Sequence, residues 1–248
     1  MGITSATPPN PTGARRQRSG RKAAITPPPR PDVPPDTGRQ RHVSAATDAQ
    51  RERILQAATR LFAAQGYANT TIAQIAAELG VTKPFVYYYF HDKQALFETL
   101  SWHPAVACFS ALDFADGDPR PAVQKVQEGL ARLIRATIAH YPAAFFPYKE
   151  PQAYRTEYQA AVRQLANRFY DRLCPLLEQA RADGDLAFGE TRLTALAACS
   201  LPGFLYSWYR PDGRLGPEAV TAELTRLAMQ LLGLRPRAPA TPPSAPGG

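Results

Sequence analysis

The chain has 248 residues, of which 44% are hydrophobic, so it is long enough to form one or two domain cores. Its formal net charge is +8, and its three cysteines, Cys108, Cys174 and Cys199, lie far apart with no CxxC or Cys/His spacing. These features argue against a disulfide scaffold or a Cys/His metal site, and they predict reduced thiols in a cytoplasmic protein. No stretch approaches the roughly 18 apolar residues of a membrane span, which predicts no membrane partner.

The positive charge is concentrated at the N-terminus. Residues 1–45 contain eight Arg or Lys and two Asp, a balance of +6, whereas the remaining 203 residues carry +2. Because this segment is rich in proline and poor in large apolar residues, we expect a disordered extension over 1–45, and a second disordered tail over 235–248. The basic extension fits either an arm that attracts DNA phosphates or a merely solvated segment.

The segment from Asp48 to Gln65 has the spacing of an amphipathic helix. Ile54, Leu61 and Phe62 fall on one helical face, and Gly66 follows as a favourable C-terminal residue. This helix could support the elements that follow it.

A second, shorter helix is predicted over Thr71–Leu79. Its N-cap is a threonine, and one face carries Ile72, Ile75 and Leu79. Gly80 then supplies the conformational freedom that a tight turn requires.

A third helix is predicted to begin at Thr82, with Pro84 in its first turn, where proline is tolerated. The run Phe85–Phe90 consists of six β-favouring residues and would be a strand by local propensity alone. Helix-start signals before it and Asp92 after it favour a helix, and a solitary strand would have no partner. The two short helices therefore form a helix-turn-helix pattern, with Val86 on its core side.

This region resembles the DNA-binding domain of the TetR family of bacterial regulators. The resemblance covers roughly residues 48–100 and is carried by RERILQAATRLFAAQGYANTTIAQIAAELGVTKPFVYYYFHDKQALFETL. Its features come in fixed order: helix, Gly-Tyr, Thr-Thr, Ile-Ala, Leu-Gly-Val, Tyr-x-Tyr-Phe, and Lys before Ala-Leu-Phe. The resemblance implies an all-α fold, with a three-helix DNA-binding domain over 46–93 and a helical ligand-binding and dimerisation domain over 94–234.

The same resemblance assigns roles at a DNA operator. Thr71 would donate to a phosphate, and Tyr87 and Lys93 match positions that contact the DNA backbone. The residues that would face the bases at the start and exposed side of the third helix are Thr82, Lys83, Pro84, Phe85 and Tyr88. Lys83 would bind guanine, and Pro84 and Phe85 would touch a thymine methyl. Phe85 and Tyr88 depart from the small residue and the histidine that are frequent at these positions.

The rest of the chain is predicted to be helical. The expected helices are Asp92 to about Leu112, Pro121–Ala139, Gln152–Ala182, about Glu190–Tyr209, and Pro217–Leu232. The fourth of these is apolar over most of its circumference, and Pro202-Gly203 should kink it. In the resemblance the last two helices form a homodimer interface, although burial of the fourth helix within one subunit would also explain its composition.

An apolar ligand site is predicted in the C-terminal domain. Its candidate aromatic residues are Trp102, Phe109, Phe145, Phe146, Tyr148, Tyr154, Tyr158, Phe169 and Phe204, each of which also fits simple core packing. The segment Trp208–Leu215 resembles repressors that respond to acyl-CoA thioesters, with Arg210 near the CoA phosphates. Arg210 could equally complement a helix C-terminus before a Pro-Asp-Gly turn.

The sequence favours a regulator over an enzyme. The four histidines lack helical metal spacing, and neither a nucleophile elbow nor a phosphate loop occurs, so we expect no catalytic residues, metal or cofactor. Glu150, Glu157 and Asp171 have the spacing of solvated helix charges. We therefore predict a TetR-type repressor that a small hydrophobic ligand releases from a near-palindromic operator. The alternative is a helical carrier or sensor that does not depend on specific DNA binding.

Overall fold

A computed structural model of the protein describes residues 38–235, with side chains from residue 47 onward. The first helix, α1, spans Gly38–Asn69, but Gly66 is non-helical within it (φ 79°, ψ 168°), as expected for a glycine that ends a helix. The helix begins at Gly38 rather than at Asp48, so part of the expected disordered extension has helical backbone. Residues 1–37 and 236–248, which hold most of that extension and nearly all of the second tail, lie outside the described residues.

The two short helices are confirmed. Helix α2 spans Ile72–Leu79, and its N-cap Thr71 forms a capping box with Gln74. Gly80 ends α2 in the left-handed region (φ 67°), which a residue with a side chain rarely adopts.

Helix α3 spans Lys83–Tyr89, so the β-favouring run is helical. Tertiary packing overrides its propensity, because Val86 and the C-cap residue Phe90 are both buried in the core that α1 and α2 supply. Thr82 lies at the N-cap position, but its side chain makes no capping hydrogen bond.

Helix α4 spans Lys93–Phe109 and is capped by Asp92, whose carboxylate accepts a hydrogen bond from the Ala95 amide at 2.6 Å. Pro104 lies inside the helix and is buried. Helices α1–α4 form the predicted DNA-binding region, whose core joins α4 to the three preceding helices, mainly through Ile54, Phe62, Ile75, Val86, Leu96 and Phe97.

The next elements are α5 (Ala122–Ala139), a 3-10 turn (Ala143–Phe145), the single-turn helix α6 (Phe146–Lys149), a second 3-10 turn (Pro151–Ala153), and α7 (Thr156–Ala182). The prediction that α7 begins at Gln152 is wrong. Tyr154 is extended (φ −106°, ψ 141°), and the Arg155 amide donates to the Glu98 carboxylate at 2.7 Å instead of entering a continuous helix.

The expected helix over Glu190–Tyr209 is broken into three parts. Helix α8 spans Thr191–Ser200, a 3-10 turn spans Leu201–Phe204, and α9 spans Leu205–Trp208. Pro202 lacks an N–H group for the helical ladder, so the break falls at the Pro202-Gly203 pair, where the sequence predicted a kink.

Helix α10 spans Pro217–Leu231 and packs on α5 and α8. The core of this C-terminal region is formed by α5, α7, α8 and α10, with Leu130, Leu173, Leu177 and Met229 among its buried residues. Within the described residues, no helix is long and apolar enough to cross a membrane.

Candidate nucleic-acid interface

Four of the residues predicted to contact DNA line one surface groove. Thr71, Lys83, Tyr87 and Lys93 surround a depression of about 380 Å³, together with Thr70, Ile72 and Ala73. Helix α2 supplies the floor, α3 supplies Lys83 and Tyr87, and α4 supplies Lys93 from its first position. The tight turn at Gly80 joins α2 to α3.

Thr71 caps the N-terminus of α2, in addition to its predicted contact with a DNA phosphate. Its hydroxyl accepts a hydrogen bond from the Gln74 amide at 3.2 Å, and the Gln74 side chain accepts from the Thr71 amide at 2.7 Å. Thr71 remains exposed at the N-terminus of α2, where the helix dipole is positive. This end of the groove therefore suits an anionic group.

The exposed side of α3 carries most of the residues expected to face bases. Tyr88 exposes 79% of its surface and Tyr87 exposes 49%, while Thr82, Lys83 and Pro84 are also exposed. An aromatic ring with this exposure has no role in the core of the subunit, so the two tyrosines are available to a partner.

Phe85 is less exposed than the other residues expected to face bases. It is half-buried, and its ring contacts that of Tyr89 at a centroid distance of 5.3 Å. The packing explains why a bulky residue is tolerated at this point of the helix, and it leaves only part of the ring for a thymine methyl.

Lys93 is held by the backbone of the α1–α2 connection. Its ammonium donates to the carbonyls of Tyr67 at 2.8 Å and Thr70 at 2.9 Å, and it lies 4.1 Å from the centroid of the Tyr67 ring. Burial lowers the pKa of this ammonium below its ordinary value, although the Glu150 carboxylate acts in the opposite direction. Two of its three donors are therefore engaged, and one remains for a ligand.

Two residues of the C-terminal region contact residues beside this groove. These contacts were not predicted from the sequence. Glu150 was interpreted as a solvated helix charge, but its carboxylate accepts a hydrogen bond from the Tyr67 amide at 3.2 Å. Arg155 donates to the carboxylates of Glu98 and Asp92, each at 2.6 Å. No local pattern marks these contacts, because 83, 57 and 63 positions separate the partners.

The predicted ligand residues are divided among several hydrophobic clusters, and their part in ligand binding stays a prediction. Phe146 and Tyr154 belong to the core of the DNA-binding region, with ring centroids 5.2 Å and 5.1 Å from that of Phe97. Phe109 packs on Phe169, at a centroid distance of 5.9 Å, against the core of the C-terminal region.

Some members of that set are in contact: Tyr158 stacks on Tyr154 at a ring-centroid distance of 4.7 Å, and Phe145 lies 6.4 Å from Tyr148. Phe145 is buried in a third cluster between α5, α9 and α10. Tyr148, Phe204 and Arg210 are exposed, while Trp102 and Tyr158 contact each other at a ring-centroid distance of 6.0 Å. Arg210 donates to the carbonyl of its neighbour Tyr209 at 3.0 Å, and the Gly213 amide closes a turn on the Arg210 carbonyl.

The fold and the groove define a helical protein with a helix-turn-helix unit followed by a larger helical region. Residues 54–100 match the family model described as "Bacterial regulatory proteins, tetR family". Residues 119–232 match that described as "Tetracyclin repressor-like, C-terminal domain". The chain belongs to the TetR family of DNA-binding transcriptional regulators.

Known relatives agree with this assignment. The transcriptional regulator HbdR of Aromatoleum sp. is 50% identical over 54 residues, which are 21% of this chain and 24% of HbdR. The alignments with this and two further regulators span 24%, 25% and 41% of the lengths of those proteins, so the likeness in sequence is confined to part of each.

Solved structures share the fold over a larger part of the chain. The TetR family regulator PfmR of Thermus thermophilus has a TM-score of 0.64 at 23% identity, covering 74% of this chain and all of PfmR. The structure of AibR in complex with isovaleryl coenzyme A and operator DNA has a TM-score of 0.60 at 20% identity, covering 72% of this chain and 97% of AibR.

Proposed function

We propose that the protein is a homodimeric repressor that binds a near-palindromic DNA operator and that a small hydrophobic ligand releases from it. The observation that carries this proposal is the groove in which Thr71, Lys83, Tyr87 and Lys93 meet at the positive end of α2. Two hydroxyls and two ammonium groups around one depression suit the phosphates of a DNA backbone. A carrier that did not bind DNA would have no use for this arrangement.

Within this groove the residues divide by the part of DNA that they would contact. Thr71, Tyr87 and Lys93 would hold phosphates and fix the orientation of α3 in the major groove. Lys83 would donate to guanine O6 and N7, and Pro84 with the exposed part of Phe85 would contact a thymine methyl. Thr82 and Tyr88, both exposed, would complete the contact with base edges.

Dimerisation is proposed through the last two helical segments. The large apolar side chains exposed along α8, the 3-10 turn after it, α9 and α10 are Leu193, Leu196, Phe204, Trp208, Leu227 and Leu231, each exposing between 37% and 66% of its surface. Because α8 packs on α10 within the subunit, their exposed sides can form one patch. A patch of this kind marks a protein interface, and a second copy would cover it with its own equivalent patch. Two-fold symmetry would then place two α3 helices in major grooves about 34–36 Å apart.

The ligand proposal is supported at the contact between α4 and α7. Trp102 and Tyr158 meet there, and the buried hydroxyl of Tyr158 lies beside Ser101 but forms no hydrogen bond of ordinary geometry within the described residues. A buried hydroxyl without a partner is unusual, so an apolar ligand with one polar group would suit this position.

Acyl-CoA thioesters are the first class to test, because the AibR structure contains isovaleryl coenzyme A and Arg210 and Arg214 are exposed here beside the end of α9. The ligand would act by favouring the dimer spacing that cannot bind DNA. A rise in melting temperature with isovaleryl-CoA but not with free CoA would support this class. No shift with acyl-CoAs, alongside a shift with an unrelated apolar compound, would remove it.

The decisive experiment is fluorescence anisotropy with the upstream DNA of the gene itself and with a scrambled duplex, at ~150 mM salt, where non-specific attraction is reduced. A preference of about a hundredfold or more for the upstream DNA is expected, because specific binding is typically ~10³–10⁷ times tighter than non-specific binding. Equal and weak binding to the two duplexes would favour the carrier instead. The proposed location is the cytoplasm, because the operator lies on the chromosome there.

A further inference from the structure

The turn between α1 and α2 is held by a carboxylate from the other half of the chain. Glu150, which follows α6, accepts a hydrogen bond from the Tyr67 amide at 3.2 Å. Gly66 makes this approach possible: its φ is +79°, and a Cβ atom there would lie 3.0 Å from the same Glu150 oxygen. The glycine therefore serves two purposes, since it ends the helix and admits the carboxylate.

The residue that binds Glu150 also holds Lys93. The Tyr67 amide donates to Glu150, and the Tyr67 carbonyl accepts from the Lys93 ammonium at 2.8 Å. Lys93 also contacts the Tyr67 ring, at 4.1 Å from its centroid. Glu150 and Lys93 thus meet at one residue, and movement of Tyr67 would move the ammonium that lines the groove.

A second set of contacts fixes the backbone of α4 around Lys93. Arg155 binds the carboxylate of Asp92, the residue before Lys93, and Gln94, the residue after it, donates to the Ala153 carbonyl at 3.1 Å. Although burial opposes it, the Ala95 amide and the Arg155 guanidinium hold the pKa of Asp92 below its ordinary value. The backbone of Lys93 is therefore fixed from both neighbours, and its side chain is held by the carbonyls of Tyr67 and Thr70 and by the Tyr67 ring.

We propose that Glu150 is a positioning residue for DNA binding, which acts through Tyr67 to hold the Lys93 ammonium toward a DNA phosphate. The inference rests on the proposed function, because it takes Lys93 to be a phosphate contact. It gives the segment 150–155, which includes the core residues Ala153 and Tyr154, a direct influence on the groove through the hydrogen bond from the Tyr67 amide to Glu150. A shift of this segment would withdraw a phosphate contact, whereas the base contacts of α3 would remain in place.

The test compares Glu150→Ala, Glu150→Gln and the control Glu157→Ala. The control removes the same charge from an exposed position in the first turn of α7, and so corrects for the change in net charge. Each variant is titrated by anisotropy with the upstream DNA and with a random duplex, over a range of salt concentrations.

Glu150→Ala should weaken binding to both duplexes about tenfold and lower the salt slope by about one, because one phosphate contact is lost. Glu150→Gln should stay within about twofold of the wild type, since an amide oxygen still accepts the Tyr67 amide. In the double variant Lys93→Ala/Glu150→Ala, the loss should equal that of Lys93→Ala alone, because both changes remove one contact.

An unchanged salt slope in Glu150→Ala, or additive losses in the double variant, would overturn the proposal even if the wild type binds its operator. The random duplex keeps the test valid if the operator lies elsewhere, since phosphate contacts contribute to non-specific binding as well. If the wild type binds neither duplex, the proposed function fails separately. In that case the positioning role is tested by the rate of Lys93 acetylation, mapped by mass spectrometry. The rate should be higher in Glu150→Ala than in the wild type, and unchanged in Glu150→Gln. Equal rates in the wild type and these two variants would refute the positioning role.

Discussion

Two exposed faces of this protein differ in the groups that they leave uncovered. The face formed by α2, α3 and the start of α4 presents hydroxyls, ammonium groups and tyrosines, including Tyr88, which exposes 79% of its surface. The face formed by α8, α9 and α10 presents aliphatic and aromatic side chains, such as Leu193, which exposes 66%. The first face has few apolar groups that need to be covered, and the second has many.

This difference predicts two kinds of partner. A polar surface with fixed cations gains binding free energy from phosphates and the release of their counterions, so its affinity should fall steeply with salt. An apolar surface gains binding free energy from the removal of water, so its affinity should change little with salt. The same protomer would therefore bind DNA through salt-dependent electrostatic attraction and a second copy through the burial of apolar surface.

The largest effect is expected from a charge on the apolar face. Leu196→Glu would place a charge from each copy within the proposed apolar interface, at a cost of several kcal/mol, so the protein should become a monomer and lose ~100-fold or more in operator affinity. Light scattering gives the mass, and Leu215→Glu is the control, because Leu215 is 49% exposed in the loop before α10. A dimer of unchanged stability in Leu196→Glu would place the interface elsewhere.

The next effect concerns base recognition on the polar face. Lys83→Ala should cost about 1–3 kcal/mol of binding free energy and relax specificity at one base pair, because a bidentate contact with guanine is lost. Anisotropy with single-base operator variants measures this. The assignment of Lys83 would be refuted by an equal loss for the operator and for random DNA.

A uniform and smaller loss is expected from Lys93→Ala. All DNA sequences should bind about tenfold more weakly, and the salt slope should fall by about one, since only a phosphate contact is removed. The structure adds a second consequence: the carbonyls of Tyr67 and Thr70 lose their donor, so thermal unfolding should occur at a lower temperature. Unchanged thermal stability would show that these hydrogen bonds do not form in solution.

The smallest effect is expected from the cap of α2. Thr71→Ala should lower the free energy of unfolding by about 1 kcal/mol, because the Gln74 amide loses its acceptor. Thr71→Ser keeps the hydroxyl and should retain most of the stability in urea unfolding. If both variants unfold like the wild type, the capping box contributes nothing measurable.

The DNA-binding half could be predicted closely because its signals are local. Threonine and aspartate caps, Gly66 and Gly80 fix where the helices begin and end within a few residues of themselves. The predicted contacts Thr71, Lys83, Tyr87 and Lys93 do line one groove, whose contact with DNA stays a prediction. Val86, which was expected on the core side of the helix-turn-helix unit, is buried.

The C-terminal half was less predictable because residues of the same chemical type there differ only in their tertiary contacts. The aromatic candidates for a ligand site share a chemical character, yet Phe145 and Phe146, adjacent in sequence, lie in different clusters. The start of α7 was misplaced because Arg155 bonds Glu98, a partner 57 positions away. The charge of Glu150 was visible, but its contact with Tyr67 was not.

The sequence by itself therefore determined the all-helical class, the helix-turn-helix unit, the family and the groups that a DNA backbone would require. Periodicity, caps and turn glycines act within one or two helical turns, so they are present in the order of the residues. Tertiary structure alone decided that Lys93 is held by Tyr67, that Glu150 binds the same residue, and that Phe146 and Tyr154 serve the core of the DNA-binding region. These contacts join residues distant in the chain, and only the packing of whole helices brings them within hydrogen-bonding or van der Waals distance.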